Sequence, residues 1–308
     1  MHYRAIGRTD VKISEISLGC NRLGEAHSPD HHWIDLVRSA VDLGVNLFDT
    51  AESYGWGRSE TILGQALGNR GDVLIASKVS RVQDTNARDY SAARIIQQAE
   101  ASLRRLQRDC IEIYQLHSPG LADLQQFDWP AAMTKLKAQG KIRFAGVSIN
   151  DVASGQWLIE NGLADVLQVD YSMVAPQAGN TLFPLAAQQG VGILVRMPMA
   201  RGILTGKFEP GAPVSKEYRA SMLGDKVAGY VQQAEAYRQL ADRHADLTLG
   251  QYALRYAISP NAVTAAIPGA RNLEQLTQNI AASNGVGLSA AELDEIAAIQ
   301  KQWSQAGG

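Results

Sequence analysis

The sequence predicts an α/β protein: a closed (β/α)8 barrel of TIM type, with an N-terminal β-hairpin closing the barrel bottom. Three observations predict it. Short apolar runs alternate with amphipathic helical stretches from end to end, and eight such runs can be counted. The chain has 308 residues and is 45% hydrophobic, enough for eight units to close around one core. No GxGxxG follows the first run, so the fingerprint of an open dinucleotide-binding sheet is absent. With no linker and no low-complexity tract, residues 1–308 read as a single barrel domain.

The elements follow in order. "HYRAIG" and "VKIS" flank "RTD" and read as the hairpin. The eight expected strands are "EISLG" (15–19), "VNLFD" (45–49), "VLIASK" (73–78), "IEIYQLH" (111–117), "FAGVS" (144–148), "VLQVDY" (166–171), "GILVR" (192–196) and "VTAAIPG" (263–269). Helices are expected at 31–43, 59–69, 91–107, 129–139, 151–161, 181–189, 272–282 and 289–301. In 91–107, Ala93, Ile96, Ala99, Leu103 and Leu106 recur at three- and four-residue steps, the mark of one buried face. Residues 208–230 read as a long polar loop after the seventh strand, and loops of that length are mostly functional.

Charge and cysteine content narrow the partners. Lys and Arg total 29 against 31 Asp and Glu, a formal net charge of -2, so neither nucleic acid nor an anionic membrane surface is expected as partner. Cys20 and Cys110 lie far apart without a CxxC pair, which excludes a disulfide framework and zinc-ligand spacing, and no metal is expected. A reducing cytoplasm fits such a chain. The N-terminus has no apolar core of a signal peptide, and no run approaches the roughly 20 apolar residues that span a bilayer.

In a barrel of this kind, chemistry sits at the C-terminal strand ends. The second strand ends on Asp49, the third on Lys78 and the fourth on His117. Strand alternation puts Leu47 with Asp49, Leu74 and Ala76 with Lys78, and Ile113 and Gln115 with His117 on one inward face. Any one of these is an ordinary polar strand end; complementary ionisable groups on three successive ends form a set. Tyr54 follows five residues after Asp49, in a loop where Gly55 and Gly57 free the backbone to turn. Ser59 is the expected cap of the next helix. A phenol has an ordinary pKa of about 10, and a nearby ammonium favours its anion. An acid holding that ammonium, and an imidazole beside the reacting oxygen, suit proton delivery to a carbonyl oxygen becoming an alkoxide. A hydrolase with two carboxylates is the weaker reading: Asp49 and Glu52 make no clear acid pair, and Lys78 and Tyr54 would be idle. Glu52 is left without a chemical role.

"FDTAESYGWGRSE", "LIASK", "YQLH", "FAGVSIN", "LQVDYS", "RGILTGK" and "IPGARNLEQLTQN" occur in the order found in the aldo-keto reductases, and the sequence resembles that family nearly end to end. The resemblance implies Asp49, Tyr54, Lys78 and His117 as a catalytic tetrad, with Tyr54 as general acid–base and NAD(P)H as the hydride source. Carbonyl reduction needs two electrons that no side chain here can give, so a cofactor is required. Gly269 is expected to open a helix whose free N–H groups make an anion site, with Arg271 beside it and Gln275 and Asn279 on one face. By resemblance that face meets the adenine end and Arg271 the 2′-phosphate, which favours NADPH while leaving NADH possible. Ser148, Asn150 and Gln168 fall where the family holds the nicotinamide carboxamide. Residues Arg196, Met197, Pro198, Met199, Arg201, Gly202 and Lys207 fall where it wraps the pyrophosphate. Arg196 stands where the family often has an aromatic ring stacked on the nicotinamide; a guanidinium is planar and can stack, but its charge favours the neutral, reduced cofactor.

Cys20, Asn21 and Trp56 are expected near the same mouth, Trp56 as pocket wall or as packing, Cys20 as a small buried side chain. Residues 118–127, 208–230 and the C-terminal "KQWSQAGG" are the expected pocket loops. The function expected is NADPH-dependent, reversible reduction of small aldehydes or ketones. The alternative is a non-catalytic NADPH-binding subunit of the potassium-channel β-subunit type, against which the complete set of four argues. Monomer and homo-oligomer are equally compatible with the sequence.

Overall fold

A computed structural model describes residues 1–23, 25, 28–215 and 219–306. It opens with an antiparallel hairpin, β1 (Tyr3–Ala5) and β2 (Lys12–Ser14). Eight parallel strands follow in sequential neighbour order: β3 (Leu18–Gly19), β4 (Leu47–Asp49), β5 (Leu74–Val79), β6 (Ile111–His117), β7 (Ile142–Ser148), β8 (Val166–Asp170), β9 (Gly192–Arg196) and β10 (Val263–Ala266). The last strand returns to the first. Ser17 N–H donates to the Ala266 carbonyl at 2.9 Å and Gly19 N–H to that of Pro268 at 3.0 Å, so the sheet closes on itself. The barrel and its hairpin are as the sequence predicts; the first strand is shorter than expected, with Ile16 making only an isolated bridge to Ala266.

The helices are α1 (Asp30–Asp42), α2 (Arg58–Leu67), α3 (Ala92–Leu106), α4 (Leu121–Gln126), α5 (Trp129–Ala138), α6 (Val152–Glu160), α7 (Gln177–Gln189), α8 (Lys226–Ala241), α9 (Leu249–Ile258), α10 (Leu273–Ile280) and α11 (Ala290–Ala306). Three of them, α4, α8 and α9, are absent from the expected set. α8 carries no clean apolar stripe: Gln233 is buried on its inner side, donating to the Tyr237 hydroxyl, which donates in turn to the Met173 carbonyl. α9 does carry a signal, the Thr248–Gln251 capping box, in which each side chain meets the other's backbone N–H. The expected 208–230 loop holds a short 3-10 turn, Arg219–Leu223, and the first turn of α8; its residues 216–218 lie outside the described set, as do 307–308 of the C-terminal stretch. Residues 118–127 are mostly helix α4, and none of them lines the main cleft.

Alternation along the strands sorts the barrel interior into two tiers. In the lower tier Leu47, Ala76, Ile113, Phe144, Val166, Leu194 and Ala265 pack together, plugged from below by the hairpin's Ile6, Val11 and Ile13. Arg4 pins the hairpin, donating to the Ile258 and Val263 carbonyls and pairing with the fully buried Glu15. Two residues further along the same strands the inward positions turn polar: Asp49, Lys78, Gln115 and Gln168. The dry lower tier is therefore the floor on which a polar site stands. Opposite faces of the strands pack under the helices, as Phe48, Ile75 and Tyr114 do against residues such as Leu63 and Leu103. Among the described residues no helix is long and apolar enough to cross a membrane.

Candidate active site

The polar tier is one hydrogen-bonded unit. Lys78 Nζ donates to Asp49 Oδ1 at 2.6 Å and to the Thr50 carbonyl at 2.7 Å. Asp49 Oδ2 accepts from Gln168 Nε2 at 2.7 Å and Gln115 Nε2 at 3.3 Å. Ser148 Oγ donates to Gln168 Oε1 at 3.3 Å. Lys78 is fully buried and Asp49 is 3% exposed, so this is an ion pair removed from water, with the carboxylate's remaining lone pairs occupied by amides. Burial pulls the Lys78 pKa down, but Asp49 and then Tyr54 outweigh it, and the net displacement is upward.

Tyr54 and His117 stand over this pair. Lys78 Nζ lies 5.1 Å from the centroid of the Tyr54 ring, and the Tyr54 and His117 rings meet edge to face at 5.8 Å. The loop that carries Tyr54 turns through three consecutive left-handed residues, Gly55, Trp56 and Gly57. That turn folds the tyrosine back over Asp49. Ser59 is not the helix cap; Gly57 occupies that position, and Ser59 instead donates to the Cys20 carbonyl and bonds Thr50 Oγ1, tying the loop after β4 to the loop after β3. Burial, with the charges of Lys78 and Arg196, pushes the His117 pKa down to about 3, so the imidazole is neutral through the physiological range. Its Nδ1 sits 2.7 Å from Ser80 Oγ. Tyr90 holds the same residue's backbone, its hydroxyl donating to the His117 carbonyl at 2.7 Å.

A cleft of about 620 Å³ opens above this unit and runs out to the barrel rim. At its inner end it is lined by Asp49, Tyr54, His117, Ser148 and Gln168, with Cys20 and Asn21 beside them. Burial first, then the Asp49 charge, drives the Cys20 thiol well above its ordinary pKa, so it is inert packing rather than a nucleophile. Arg196, Met197, Pro198 and Met199 line the middle, then Arg201, Gly202 and Lys207. Gly269, Arg271, Gln275 and Asn279 line the outer end. The expected cap at Gly269 falls three residues later: Asn272 caps α10, accepting from Gln275 N–H at 2.9 Å. The Gln275 side chain folds back to accept from Arg271 N–H, and Asn279 donates to the Gly269 carbonyl.

Two expected residues sit elsewhere. Asn150 does not line the cleft. Its side-chain oxygen accepts from Arg196 at 3.1 Å, and it faces a separate cavity of about 340 Å³ between the ends of β7 and β8. The reason is that alternation stops there: Ser148 points inward as the last residue of β7, and the chain has turned away by Asn150. Trp56 does not line the cleft either; at the left-handed apex of its loop it is 50% exposed. The sequence places Gln115 on the inward face without giving it a role, and marks neither Ser80 nor Ser53, although Ser80 lies two residues beyond Lys78 on the same face. Glu52 is buried as well. Its Oε1 accepts from Ser80 N–H at 2.8 Å and from Arg94 at 3.0 Å, joining the Tyr54 loop to the end of β5. Burial pushes its carboxyl up to about 7.

The sequence model of the aldo/keto reductase family matches residues 15–301. The chain belongs to the aldo/keto reductase family. A holo-form aldo-keto reductase from Bacillus halodurans has the same fold, with a TM-score of 0.83 and 28% identity over 97% of this chain and 96% of that one. An uncharacterized oxidoreductase of Bacillus subtilis is 30% identical over 308 residues, 98% of this chain and 97% of the relative. The NADH-specific methylglyoxal reductase of Escherichia coli is 29% identical over 315 residues, 93% of this chain and 94% of its own. The chain is thus an oxidoreductase of the aldo/keto reductase family, whose members work with nicotinamide cofactors.

The cleft residues fit such a cofactor. Arg196 and Arg201 each keep a buried Nε–H without a partner among the described residues, and both line the cleft. Lys207 lies close enough to Arg271 and Arg22 that, after burial, their charges hold its ammonium below its ordinary pKa, a cationic rim suited to phosphate. A side chain at Gly202 would crowd Lys207 Nζ at 3.3 Å, in a segment where Met197, Ala200 and Arg201 are left-handed.

Proposed function

We propose that the chain reduces aldehydes and ketones to alcohols, reversibly and with NADPH as the preferred cofactor, Tyr54 supplying the proton. The observation that carries this reading is the buried Lys78–Asp49 pair set beneath the Tyr54 ring, with neutral His117 at the ring's edge. Bound in the cleft, the reduced nicotinamide would supply the hydride. Everything else falls to the protein. Ser148 and Gln168 would orient the carboxamide, and Arg196, Arg201 and Lys207 would hold the diphosphate. Arg271 at the outer rim would read the 2′-phosphate.

At the inner end the carbonyl oxygen would lie between the Tyr54 hydroxyl and His117. Charge develops on that oxygen as hydride arrives, and donors already in place stabilise it without reorganisation. The phenol gives up its proton next to an ammonium that cannot leave, because Asp49 and the Thr50 carbonyl fix it. Neutral His117 can donate a hydrogen bond without competing for the proton. A subunit kept only to bind cofactor would need none of this inner arrangement.

The test is direct. Purified protein with NADPH and a panel of reactive aldehydes and ketones is expected to oxidise the cofactor, followed by its absorbance, and to form the alcohol. Tight NADPH binding with no cofactor oxidised by any carbonyl would favour the binding-subunit reading instead.

A further inference from the structure

A neutral imidazole carries one N–H, and which nitrogen bears it is set by the hydrogen bond that the other nitrogen makes. His117 lines the cleft, and no described residue bonds its Nε2. Its Nδ1 faces two hydroxyls: Ser80 Oγ at 2.7 Å and Ser53 Oγ at 3.5 Å, themselves 3.0 Å apart. A backbone carbonyl or a carboxylate at Nδ1 would force the proton onto that nitrogen. A hydroxyl imposes no such choice, because it can accept from Nδ1–H or donate to bare Nδ1. The Ser80 hydroxyl is aligned to donate to Ser53, so it has a second acceptor and can turn between the two.

Ser80 is also held with care. It is 4% exposed, its N–H is fixed by Glu52 Oε1, and its carbonyl accepts from Arg94 at 3.1 Å. None of these backbone bonds needs the side chain. The hydroxyl's described partners are His117 and Ser53 alone.

We propose that Ser80 is a positioning residue for carbonyl reduction: its hydroxyl donates to Nδ1 of His117 and so keeps the imidazole proton on Nε2, where a carbonyl oxygen can accept it. Of the two acceptors within reach of the Ser80 hydroxyl, Nδ1 at 2.7 Å is nearer than Ser53 Oγ at 3.0 Å, and the single Ser80 proton is assigned to the shorter contact. Without Ser80, Nδ1 is left with Ser53 at a distance too long for a good hydrogen bond. The tautomer is then no longer selected. This inference rests on the reduction proposed above.

The test pairs kinetics with imidazole ¹⁵N NMR on histidine-labelled full-length protein, the His117 signals being assigned by their loss in His117→Gln. The expected wild-type spectrum has a protonated Nε2 and a bare Nδ1 at His117. Ser80→Ala is expected to mix or invert the tautomers, and to lower kcat and kcat/KM together by roughly tenfold, with the Kd for NADPH unchanged. Ser80→Thr, which keeps the hydroxyl, should restore both readouts. Ser53→Ala should cost less than Ser80→Ala, since Ser80 keeps its bond to Nδ1. A wild-type His117 protonated on Nδ1, or a Ser80→Ala enzyme with unchanged tautomer and kcat within about twofold, would overturn the proposal. Wild-type protein that reduces no carbonyl would sink the reduction reading, while the spectra would still decide whether Ser80 sets the tautomer.

Discussion

The side chains at the ends of β4, β5 and β6 and those on the segments after β9 and β10 face one cleft, yet they are held by different means. Asp49, Lys78 and His117 leave the ends of strands whose register is fixed on both sides, and Lys78 Nζ, both Asp49 carboxylate oxygens and His117 Nδ1 each have a buried partner. Arg201, Lys207 and Arg271 stand on irregular backbone. Three residues of the 197–201 segment are left-handed, at a typical cost on the order of 1–2 kcal/mol each. The inner end is preorganised and buried, as the proposed proton transfer would require. The outer end is charged and more exposed, as the proposed grip on a soluble dinucleotide would require. Changes at the inner end should therefore cost stability and chemistry together, and changes at the outer end should cost binding alone.

The largest expected effect is at the inner end. Lys78→Met strands the Asp49 carboxylate in the barrel, and unfolding by urea should show a loss of about 3–5 kcal/mol along with the loss of reduction. Near-wild-type stability would mean that the pair is not the anchor described here. Next comes His117. Its folded pKa of about 3 lies below the ordinary 6.5, so the unfolded chain takes up the proton first as pH falls. The stability it contributes is present above about pH 6.5 and is lost as pH falls toward 3. His117→Gln should therefore lose less stability between pH 7 and 4 than wild type, by on the order of a few kcal/mol. Parallel curves would place a protonated imidazole in the fold.

At the outer end Arg271→Ala should leave stability within about 0.5 kcal/mol, as exposed substitutions mostly do. It should weaken NADPH by roughly tenfold or more and NADH far less, by loss of a charge-assisted bond to the 2′-phosphate. Equal losses for the two cofactors would remove Arg271 from that role. The smallest effect is expected between the two ends, at Arg196. Its guanidinium is tethered to the Ile149 carbonyl and to Asn150. Arg196→Trp should shift the ratio of NADP+ to NADPH dissociation constants toward the oxidised form; unchanged constants would show that its charge is not felt by the nicotinamide.

The same contrast explains what could be read from the sequence. Asp49, Lys78 and His117 were legible because a strand has a period of two: once Leu47, Ala76 and Ile113 are core, Asp49 and Lys78 two residues further on, and Gln115 and His117 two and four further on, must share their face. Asn150 falls outside the cleft because it lies just past the end of β7, and Trp56 because it sits at the left-handed apex of its loop; the strand period applies at neither position. Ser59 looked like a helix cap by composition, but the left-handed Gly57 caps the helix two residues earlier and leaves the Ser59 side chain to bridge two loops. Helix α8 escaped because its buried side mixes Gln233 and the Tyr237 hydroxyl with Val231, Ala234, Leu240 and Ala241, which blurs the apolar stripe. Glu52, without a role by spacing, is given one by a contact 28 residues away at Ser80 that no local pattern announces.

In the proposed reduction Tyr54 delivers the proton while the rest of the cleft holds the cofactor. Tyr54→Phe removes one oxygen and keeps the ring against His117 and Lys78. In this variant kcat for carbonyl reduction is expected to fall by at least about a hundredfold, while the NADPH dissociation constant, measured on the same preparation by fluorescence titration, stays within about twofold. Turnover near that of wild type would contradict the proposal.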